Sequence, residues 1–318
     1  MYKKILLTGI NGQVGHALNA AFSSNALFTG SSSATSVFSL DRNQLDLSDV
    51  DQIRRVVQMV RPDLIINPAA YTAVDKAESE PELAYAINGM APQVLAEEAA
   101  KINAKLIHFS TDYVYSGAKK EAYLESDHTA PLGVYGKSKL AGEDAIRAVG
   151  LPHLIFRTSW VYGAYGKNFL KTILRLAAER DVLRIVADQI GAPTASTSIA
   201  ESLLKVLGEW KNDTAGIYHL VNAGQTSWHG FATAIVEEYL HLQADVSLTK
   251  ASVLPILKTE VVNIEAISTQ EFPTPALRPA NSTLNCAKLA QDFSVVLPSW
   301  REALIFELQD LNQNYIQR

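Results

Sequence analysis

Near its start the chain reads Leu6-Leu7-Thr8-Gly9-Ile10-Asn11-Gly12-Gln13-Val14-Gly15. The apolar run over residues 5–8 predicts a strand, and the amphipathic run over 13–22 predicts a helix. The glycines at 9, 12 and 15 permit a tight turn and let the backbone approach a pyrophosphate closely. The first helical turn adds unpaired N–H groups and the positive end of the helix dipole. This unit is typical of dinucleotide-binding domains.

The residues after the second predicted strand, 37–40, bear on the type of dinucleotide. Asp41 can accept hydrogen bonds from the ribose hydroxyls of adenosine, whereas Arg42 suits a 2′-phosphate that Asp41 would repel. The pattern therefore indicates NADH or NADPH without choosing between them. Asp46, followed by Leu47, could meet the adenine amino group, or it could form the turn or N-cap before the helix predicted at 50–60.

Short apolar runs alternate with longer amphipathic runs through the first half of the chain. Strands are predicted at 5–8, 37–40, 64–67, 105–109 and 154–157, and helices at 13–22, 50–60, 82–102 and 135–149. This alternation indicates an α/β fold with a Rossmann-type doubly wound parallel sheet, which binds its ligands at the carboxyl ends of the strands. The Ser- and Ala-rich stretch at 31–36 is predicted to be a surface loop.

The pattern loosens after Trp160, where Pro and Gly recur, although amphipathic helices are predicted at 199–210 and 231–240. This region predicts a smaller α+β C-terminal substrate domain that closes over the carboxyl edge of the sheet. The predicted dinucleotide-binding domain comprises residues 1–160 and 186–224. The predicted substrate-binding domain comprises residues 161–185 and 225–318.

The composition narrows the class of protein. Apolar residues make up 47% of the 318 residues, which is enough for a packed core, and the net charge of −5 argues against binding to nucleic acid. The only cysteine, Cys286, excludes an intramolecular disulfide, and the histidines lack metal-ligand spacing, so no metal is predicted. Apolar stretches fall far short of the roughly 20 residues of a membrane span. We therefore expect a cytoplasmic protein without nucleic-acid or membrane partners.

Tyr135 and Lys139 are spaced so that both lie on one face of a predicted helix. A phenol with a pKa near ~10 transfers protons poorly at neutral pH, and an ammonium group one turn away is expected to lower that pKa. The same ammonium could hold the nicotinamide ribose of the cofactor. Thr111 follows the fourth predicted strand, so its hydroxyl is placed to hydrogen-bond a substrate carbonyl at the carboxyl edge.

These motifs together resemble the extended short-chain dehydrogenase/reductases, and among them the dTDP-4-dehydrorhamnose reductases. The segments that carry the resemblance, beside the glycine loop, span nearly the whole chain. They are Asn67-Pro68-Ala69-Ala70-Tyr71-Thr72-Ala73-Val74-Asp75, Ser110-Thr111-Asp112-Tyr113-Val114-Tyr115, Tyr135-Gly136-Lys137-Ser138-Lys139, Phe156-Arg157-Thr158-Ser159-Trp160-Val161-Tyr162, Asp188-Gln189-Ile190-Gly191-Ala192-Pro193-Thr194 and Arg278-Pro279-Ala280-Asn281-Ser282.

The resemblance implies that NADPH or NADH delivers hydride to C4 of dTDP-4-dehydro-β-L-rhamnose, giving dTDP-L-rhamnose. It implies that Tyr135 protonates the developing alkoxide, that Lys139 supports it and that Thr111 tunes the carbonyl. Tyr135 and Lys139 are also predicted cofactor contacts. The remaining predicted cofactor residues are Gly9, Asn11, Gly12, Gln13, Val14, Asp41, Arg42, Asp46, Leu47, Ala69, Ala70 and Tyr71. The predicted sugar contacts are Thr111, Asp112 and Trp160.

Several assignments keep an alternative. Trp160 could lie against the sugar or be a core tryptophan, and Arg278 could contact the dTDP pyrophosphate or form a surface ion pair. Asn88 is expected to fix the active-site backbone, or to be an ordinary polar helix residue. His219 is interpreted as structural. Trp228 is predicted to pack at a helix start.

Proteins of the same fold have other functions, and some of these remain alternatives for this chain. Sugar-nucleotide 4,6-dehydratases carry an acidic pair after the strand-end Thr, whereas Tyr113 follows Asp112 here, so reduction is favoured over dehydration. A 4-epimerase, another 4-ketoreductase or a non-catalytic dinucleotide-binding subunit remain alternatives. Some reductases of the family that this chain resembles form a metal-bridged dimer through a glutamate at the position where this chain has Ala17. A homodimer is thus left open, without a predicted metal.

Overall fold

The computed structural model describes residues 2–25, 35–211, 214–244, 257 and 263–314. The predicted loop at 31–36 lies mostly outside these residues. The elements of the first part are β1 Lys4–Leu7, α1 Gln13–Ser24, β2 Ser36–Ser39, α2 Val50–Val60, β3 Leu64–Asn67, α3 Val74–Ala77, α4 Pro81–Tyr85, a π-helical turn Ala86–Met90, α5 Ala91–Lys101, β4 Lys105–Thr111, a 3₁₀ turn Asp112–Val114, α6 Val134–Val149 and β5 His153–Thr158.

The second part of the chain has several two-residue strands and, among the described residues, four helices of eleven or more residues. Its elements are β6 Val161–Tyr162, α7 Phe169–Glu179, β7 Val182–Val186, β8 Ile190–Gly191, β9 Thr194–Ala195, α8 Ser196–Glu209, β10 Gly216–His219, β11 Thr226–Ser227, α9 Trp228–Ala244, β12 Asn263–Ile267, a 3₁₀ turn Thr269–Glu271, α10 Ala287–Phe293 and α11 Trp300–Asn314. Among the described residues, no helix combines the length and apolarity needed to cross a lipid bilayer.

A six-stranded parallel sheet forms the centre of the molecule, in the order β10-β5-β4-β3-β1-β2. Its inner strands are buried at nearly every position, with apolar runs such as Leu64-Ile65-Ile66 in β3. Such runs are expected because helices cover both faces of a parallel sheet. The predicted α/β Rossmann-type fold is confirmed. The register pairs Asn67 with His108 and Thr111 with Thr158, so these strand ends meet at one edge.

The core divides into three main clusters. One face of the sheet packs on α1 and α8, where Leu18 and Leu203 are fully buried, and the other packs on α2, α5 and α6. A separate cluster joins α7, α9 and α11 around residues such as Phe231. The predicted substrate domain supplies most of this cluster. However, Leu289 and Phe293 of α10 pack on the central sheet, so residues assigned to the second domain also complete the first core. The division into two domains stays a prediction.

Candidate active site

A cleft of about 820 Å³ opens at the carboxyl edge of the sheet. This is where the parallel topology predicts a ligand site. Its walls include most of the predicted site residues: Gly9, Asn11, Gly12, Gln13, Val14, Arg42, Asp46, Leu47, Ala69, Ala70, Tyr71, Thr111, Asp112, Tyr135, Lys139 and Trp160. Asp41 and Arg278 are not among the residues that line it.

The glycine loop leaves the start of α1 open. Gly9 adopts φ +62°, and a Cβ at Gly15 would overlap the carbonyl oxygen of Gly9, so both positions require glycine. Gly12 is the N-cap of α1 and provides no side chain to bond the first-turn N–H groups, and that turn carries no acidic residue. These groups therefore fit a pyrophosphate, which binds the N–H groups and the positive end of a helix.

The segment that follows β5, residues 161–168, contacts the start of α1 next to the glycine loop through hydrogen bonds and a ring stack. Gln13 donates to the carbonyl oxygen of Val161 at 3.3 Å and accepts from Asn168 at 3.1 Å. The His16 and Tyr165 rings stack with centroids 3.7 Å apart. Gly166 and Lys167 consequently line the cleft, and the sequence pattern did not single out either residue.

The end of the cleft that is predicted to hold adenosine is formed by tight turns, which aspartate side chains stabilise by accepting from backbone N–H groups. Asp41 accepts from the backbone N–H groups of Asn43 and Gln44, and its other oxygen lies 3.4 Å from the Asn11 amide nitrogen. Asp41 thus shapes the turn, and its role as a ribose ligand stays a prediction. Arg42 lies 3.8 Å from Asp46 with its side chain 72% exposed, so the guanidinium remains accessible to a ligand.

Asp46 forms the turn that the sequence allowed before α2, and its contact with the adenine amino group stays a prediction. It accepts from the N–H and hydroxyl of Ser48, and it lines the cleft. The backbone N–H of Ser48, with smaller contributions from its hydroxyl and from Arg42, holds the pKa of Asp46 below its ordinary value. The N-cap of α2 is Asp49 instead, which accepts from the N–H groups of Asp51 and Gln52. Asp46 is therefore an ionised turn residue that faces the cleft.

Tyr135 and Thr111 are brought together by the packing of α6 against the end of β4. Burial raises the pKa of Tyr135 to about 12, while a hydrogen bond with Thr111 opposes the rise. The net shift is therefore upward, and the lowering of this pKa by Lys139 stays a prediction. The physical reason is that desolvation of the phenolate dominates in this site.

The Lys139 ammonium binds to strand β4. Its Nζ donates to the Phe109 carbonyl oxygen at 2.6 Å and lies 3.2 Å from His108 Nε2. Burial lowers the pKa of Lys139 to about 8, and the nearby Glu143 carboxylate opposes this shift. The lysine still lines the cleft, so it can change its protonation state near neutral pH within reach of a ligand.

Asp112 follows Thr111 and is almost completely buried. One carboxylate oxygen accepts from the Thr111 hydroxyl at 3.0 Å, and the other has no donor at ordinary hydrogen-bond geometry among the described residues, although the Ser282 hydroxyl is near enough to stabilise the carboxylate. Burial raises the pKa of Asp112 to about 6. An acceptor left in this state at the cleft wall suits a hydroxyl group of a ligand.

Asn88 fixes the backbone at Tyr71. Its side-chain oxygen accepts from the Tyr71 N–H at 2.8 Å, and its amide nitrogen donates to the Tyr71 carbonyl at 3.0 Å and to the Ser138 hydroxyl at 3.1 Å. The expected positioning role is confirmed. Asn88 lies in the π-helical turn that interrupts the helix predicted as continuous at 82–102. Gly142 of α6 packs against its carbonyl, so this irregular turn lies at a close helix contact.

Two tryptophans form an aromatic wall of the cleft. Trp160 and Trp228 stack with ring centroids 3.6 Å apart, and both line the cavity. Trp160 has φ +49°, and its indole lies so close to Gly191 that a Cβ there would clash. Trp228 starts a helix and packs, as predicted, but its place in the cleft was missed because the stack depends on two distant segments.

Arg278 forms the alternative contact that the sequence allowed. Its guanidinium pairs with Asp75 at 2.8 Å and donates to the Ala276 carbonyl oxygen at 3.0 Å. The assignment of Arg278 to a pyrophosphate stays a prediction. A substrate that used it would have to share or displace the Asp75 carboxylate.

The comparisons with known proteins agree on one family. The model of the RmlD substrate binding domain matches residues 3–313. The dTDP-4-dehydrorhamnose reductase of Burkholderia thailandensis is 42% identical over 97% of this chain and 99% of its own length, and that of Escherichia coli K12 is 43% identical over 96% and 97%. A crystal structure of the Bacillus anthracis reductase in complex with NADP has a TM-score of 0.84 and 35% identity, and the match covers 98% of this chain and 100% of that one.

Proposed function

We propose, because this chain belongs to the RmlD substrate binding domain family, that it is an NAD(P)H-dependent oxidoreductase of dTDP-L-rhamnose synthesis. It reduces the C4 ketone of dTDP-4-dehydro-β-L-rhamnose to the alcohol of dTDP-L-rhamnose. The observation that carries the proposal is the presence of Thr111, Tyr135 and Lys139 in the same cleft as the open glycine loop.

The reduced nicotinamide supplies the hydride. The glycine loop of this chain would bind the cofactor pyrophosphate at the start of α1. Thr111 lines the cleft, and its single O–H can polarise the substrate carbonyl oxygen by turning to it from Asp112 Oδ1. Tyr135 then gives its proton to the oxygen as negative charge develops there, which is general acid catalysis. The raised pKa of Tyr135 keeps the phenol protonated, and therefore ready to donate, at neutral pH.

Lys139 can restore the proton that Tyr135 gives to the substrate. After Tyr135 has donated, its phenolate is stabilised by the Lys139 ammonium and can recover a proton from it, and solvent then reprotonates the Lys139 amine. Asp112, with one oxygen unpaired, and the Trp160–Trp228 wall are suited to a sugar hydroxyl and to a sugar ring face, respectively. We assign these residues to the substrate on this chemical fit.

Dehydration is not supported by the residues after Thr111. Tyr113 stands where the related dehydratases have a second carboxylate, and burial raises the pKa of Tyr113 well above its ordinary range. It therefore remains a neutral phenol that cannot remove a C5 proton as a carboxylate would. The homodimer stays an open alternative, and the cytoplasmic location stays a prediction.

Absorbance of the reduced nicotinamide tests this proposal directly. The protein is mixed with NADPH or NADH and an enzymatically prepared dTDP-4-dehydro-6-deoxy sugar, with and without the 3,5-epimerase. Oxidation that requires the epimerase is the expected result. Oxidation without it would indicate a different 4-keto sugar. If the nucleotide binds and no oxidation follows, the 4-epimerase or the non-catalytic subunit is favoured instead.

Arg42→Ala is expected to separate the two cofactors. An exposed guanidinium near a 2′-phosphate contributes an ion pair and hydrogen bonds, so the Kd for NADPH should rise about 10-fold and that for NADH less than about 2-fold. Titration of intrinsic tryptophan fluorescence with each cofactor measures both constants. Arg55→Ala, which removes an exposed arginine of α2 paired with Asp49, is the control. Equal effects of Arg42→Ala on both cofactors would remove Arg42 from the 2′-phosphate site.

A further inference from the structure

A chain of buried polar side chains runs beneath the cleft and ends at Lys139. Lys139 Nζ lies 3.2 Å from His108 Nε2, and His108 Nδ1 lies 3.2 Å from the Asn67 amide nitrogen. The Asn67 amide oxygen in turn lies 2.7 Å from the Thr8 hydroxyl. Each of these four side chains is at most 1% exposed. The chain links the ends of β1, β3 and β4 to helix α6, and the mechanism above does not use His108.

The Lys139 ammonium determines the tautomer of His108. Burial, and secondarily the Lys139 charge, hold the pKa of His108 well below its ordinary value, so the imidazole is neutral. An ammonium group has donors and no acceptor, so His108 Nε2 must accept and Nδ1 must carry the hydrogen. A half-turn of the Asn67 amide then presents its oxygen to Nδ1 and its nitrogen to Thr8, which keeps both hydrogen bonds.

The hydrogen-bond positions of Lys139 Nζ can then be counted. The ammonium has three N–H donors. One points to the Phe109 carbonyl oxygen at 2.6 Å and one to His108 Nε2 at 3.2 Å, which leaves one for the cleft that Lys139 lines. If Lys139 loses a proton, its two remaining N–H groups can keep these protein acceptors, and its lone pair faces the cleft. The position of Nζ that gains or loses a proton therefore faces the cleft both in the ammonium and in the neutral amine.

We propose that His108 is a positioning residue for the reduction: with the Phe109 carbonyl it holds Lys139 Nζ so that the proton exchanged with Tyr135 always lies on the cleft side. This inference rests on the proposed function. Orientation of a reacting group within a fraction of an ångström is worth up to about 10²-fold in rate, so the effect should appear in kcat.

The surroundings of Lys139 indicate which pH range the effect should change. The titratable groups around it are His108 on β4, Tyr135 and Glu143 on its own helix, and Asp112 beside Tyr135. Glu143 is ion-paired with Arg157 of β5. Because Lys139 has a pKa of about 8, activity that needs its ammonium should fall above pH 8. Loss of the His108 acceptor disfavours the ammonium. The basic limb of the pH profile, where activity falls, should therefore move to lower pH.

Two variants of His108 separate its two contacts. The side chain in His108→Asn is long enough to reach Asn67 but too short to accept from Lys139, whereas His108→Gln places an oxygen near the former Nε2. We expect His108→Asn to lower kcat about 10- to 100-fold with the sugar KM changed less than about 3-fold. His108→Gln should retain at least about one third of kcat, since it restores the acceptor. The matched control is His153→Asn, the same change at a buried position on β5 outside the cleft.

The pH profile of kcat is the decisive readout. We expect the basic limb in His108→Asn to shift down by about half a pH unit or more, with the limb of His108→Gln close to that of the wild type. Equal kcat losses and unshifted limbs in both variants, with melting temperatures lowered alike, would overturn the proposal and leave His108 a packing residue. Wild-type protein that reduces no 4-keto sugar would instead contradict the proposed function itself, so the two failures are distinguishable.

Discussion

Tyr135→Phe is expected to lower kcat by about 10³-fold, because general acid catalysis typically contributes about 10²- to 10⁴-fold. The change removes only the hydroxyl that donates the proton. The ring that remains can keep the edge contact with Tyr113, whose centroid lies 5.4 Å away. Cofactor affinity should therefore stay within about 3-fold of the wild type, since the glycine loop is untouched. Single-turnover oxidation of NADPH and a fluorescence titration of the cofactor measure the two quantities.

Tyr113→Phe is the matched control for this prediction. Tyr113 lines the same cleft and its pKa is also raised by burial, but its hydroxyl has no place in the proposed proton transfer. We expect it to change kcat less than about 10-fold. Turnover that survives in Tyr135→Phe and is lost in Tyr113→Phe would transfer the role of proton donor to Tyr113.

Arg157→Met is expected to destabilise the fold by about 3–5 kcal/mol, because it leaves a buried carboxylate without its partner. Arg157 and Glu143 are at most 3% exposed, and the shortest of their three contacts is 2.6 Å. The pair also bonds to its neighbours: Glu143 accepts from Ser110, and Arg157 donates to the Tyr115 hydroxyl at 2.6 Å. Chemical denaturation at neutral pH measures the free energy of unfolding.

Two further variants test the physical cause of that loss. Arg175→Met breaks an exposed pair with Glu179 on α7 and should cost less than about 1 kcal/mol. The double variant Glu143→Leu with Arg157→Met removes both charges, so it should regain much of the stability lost in the single variant. A single variant as stable as the wild type would mean that water or another cation reaches Glu143.

The buried network of Arg157 and Glu143 extends through the Tyr115 hydroxyl to His219, and this gives His219 a structural role. Its Nε2 lies 2.8 Å from the Tyr115 hydroxyl, and its Nδ1 lies 3.1 Å from the Asn285 carbonyl oxygen. Burial lowers the pKa of His219 to about 3, so it is neutral. The sequence-based interpretation of this histidine is confirmed, although its partners come from segments far away in the chain.

Local rules were enough to predict the fold and much of the cleft. The glycine spacing after β1, the alternation of apolar and amphipathic runs, and the Tyr135–Lys139 spacing all depend on neighbours within one or two turns of the chain. A parallel sheet then brings the carboxyl ends of its strands to one edge, so the sequence alone predicts Thr111 at the same edge as the glycine loop.

Only the tertiary structure revealed the partners of the charged and aromatic groups. Lys139 hydrogen-bonds to His108 and the Phe109 carbonyl, Arg278 pairs with Asp75, and Trp160 stacks on Trp228. These contacts join residues that are distant in sequence, and each depends on how whole elements pack. The pKa of Tyr135 likewise depends on desolvation by several elements at once. Periodicity and spacing describe a residue's own element, whereas burial and partner choice belong to the packed molecule.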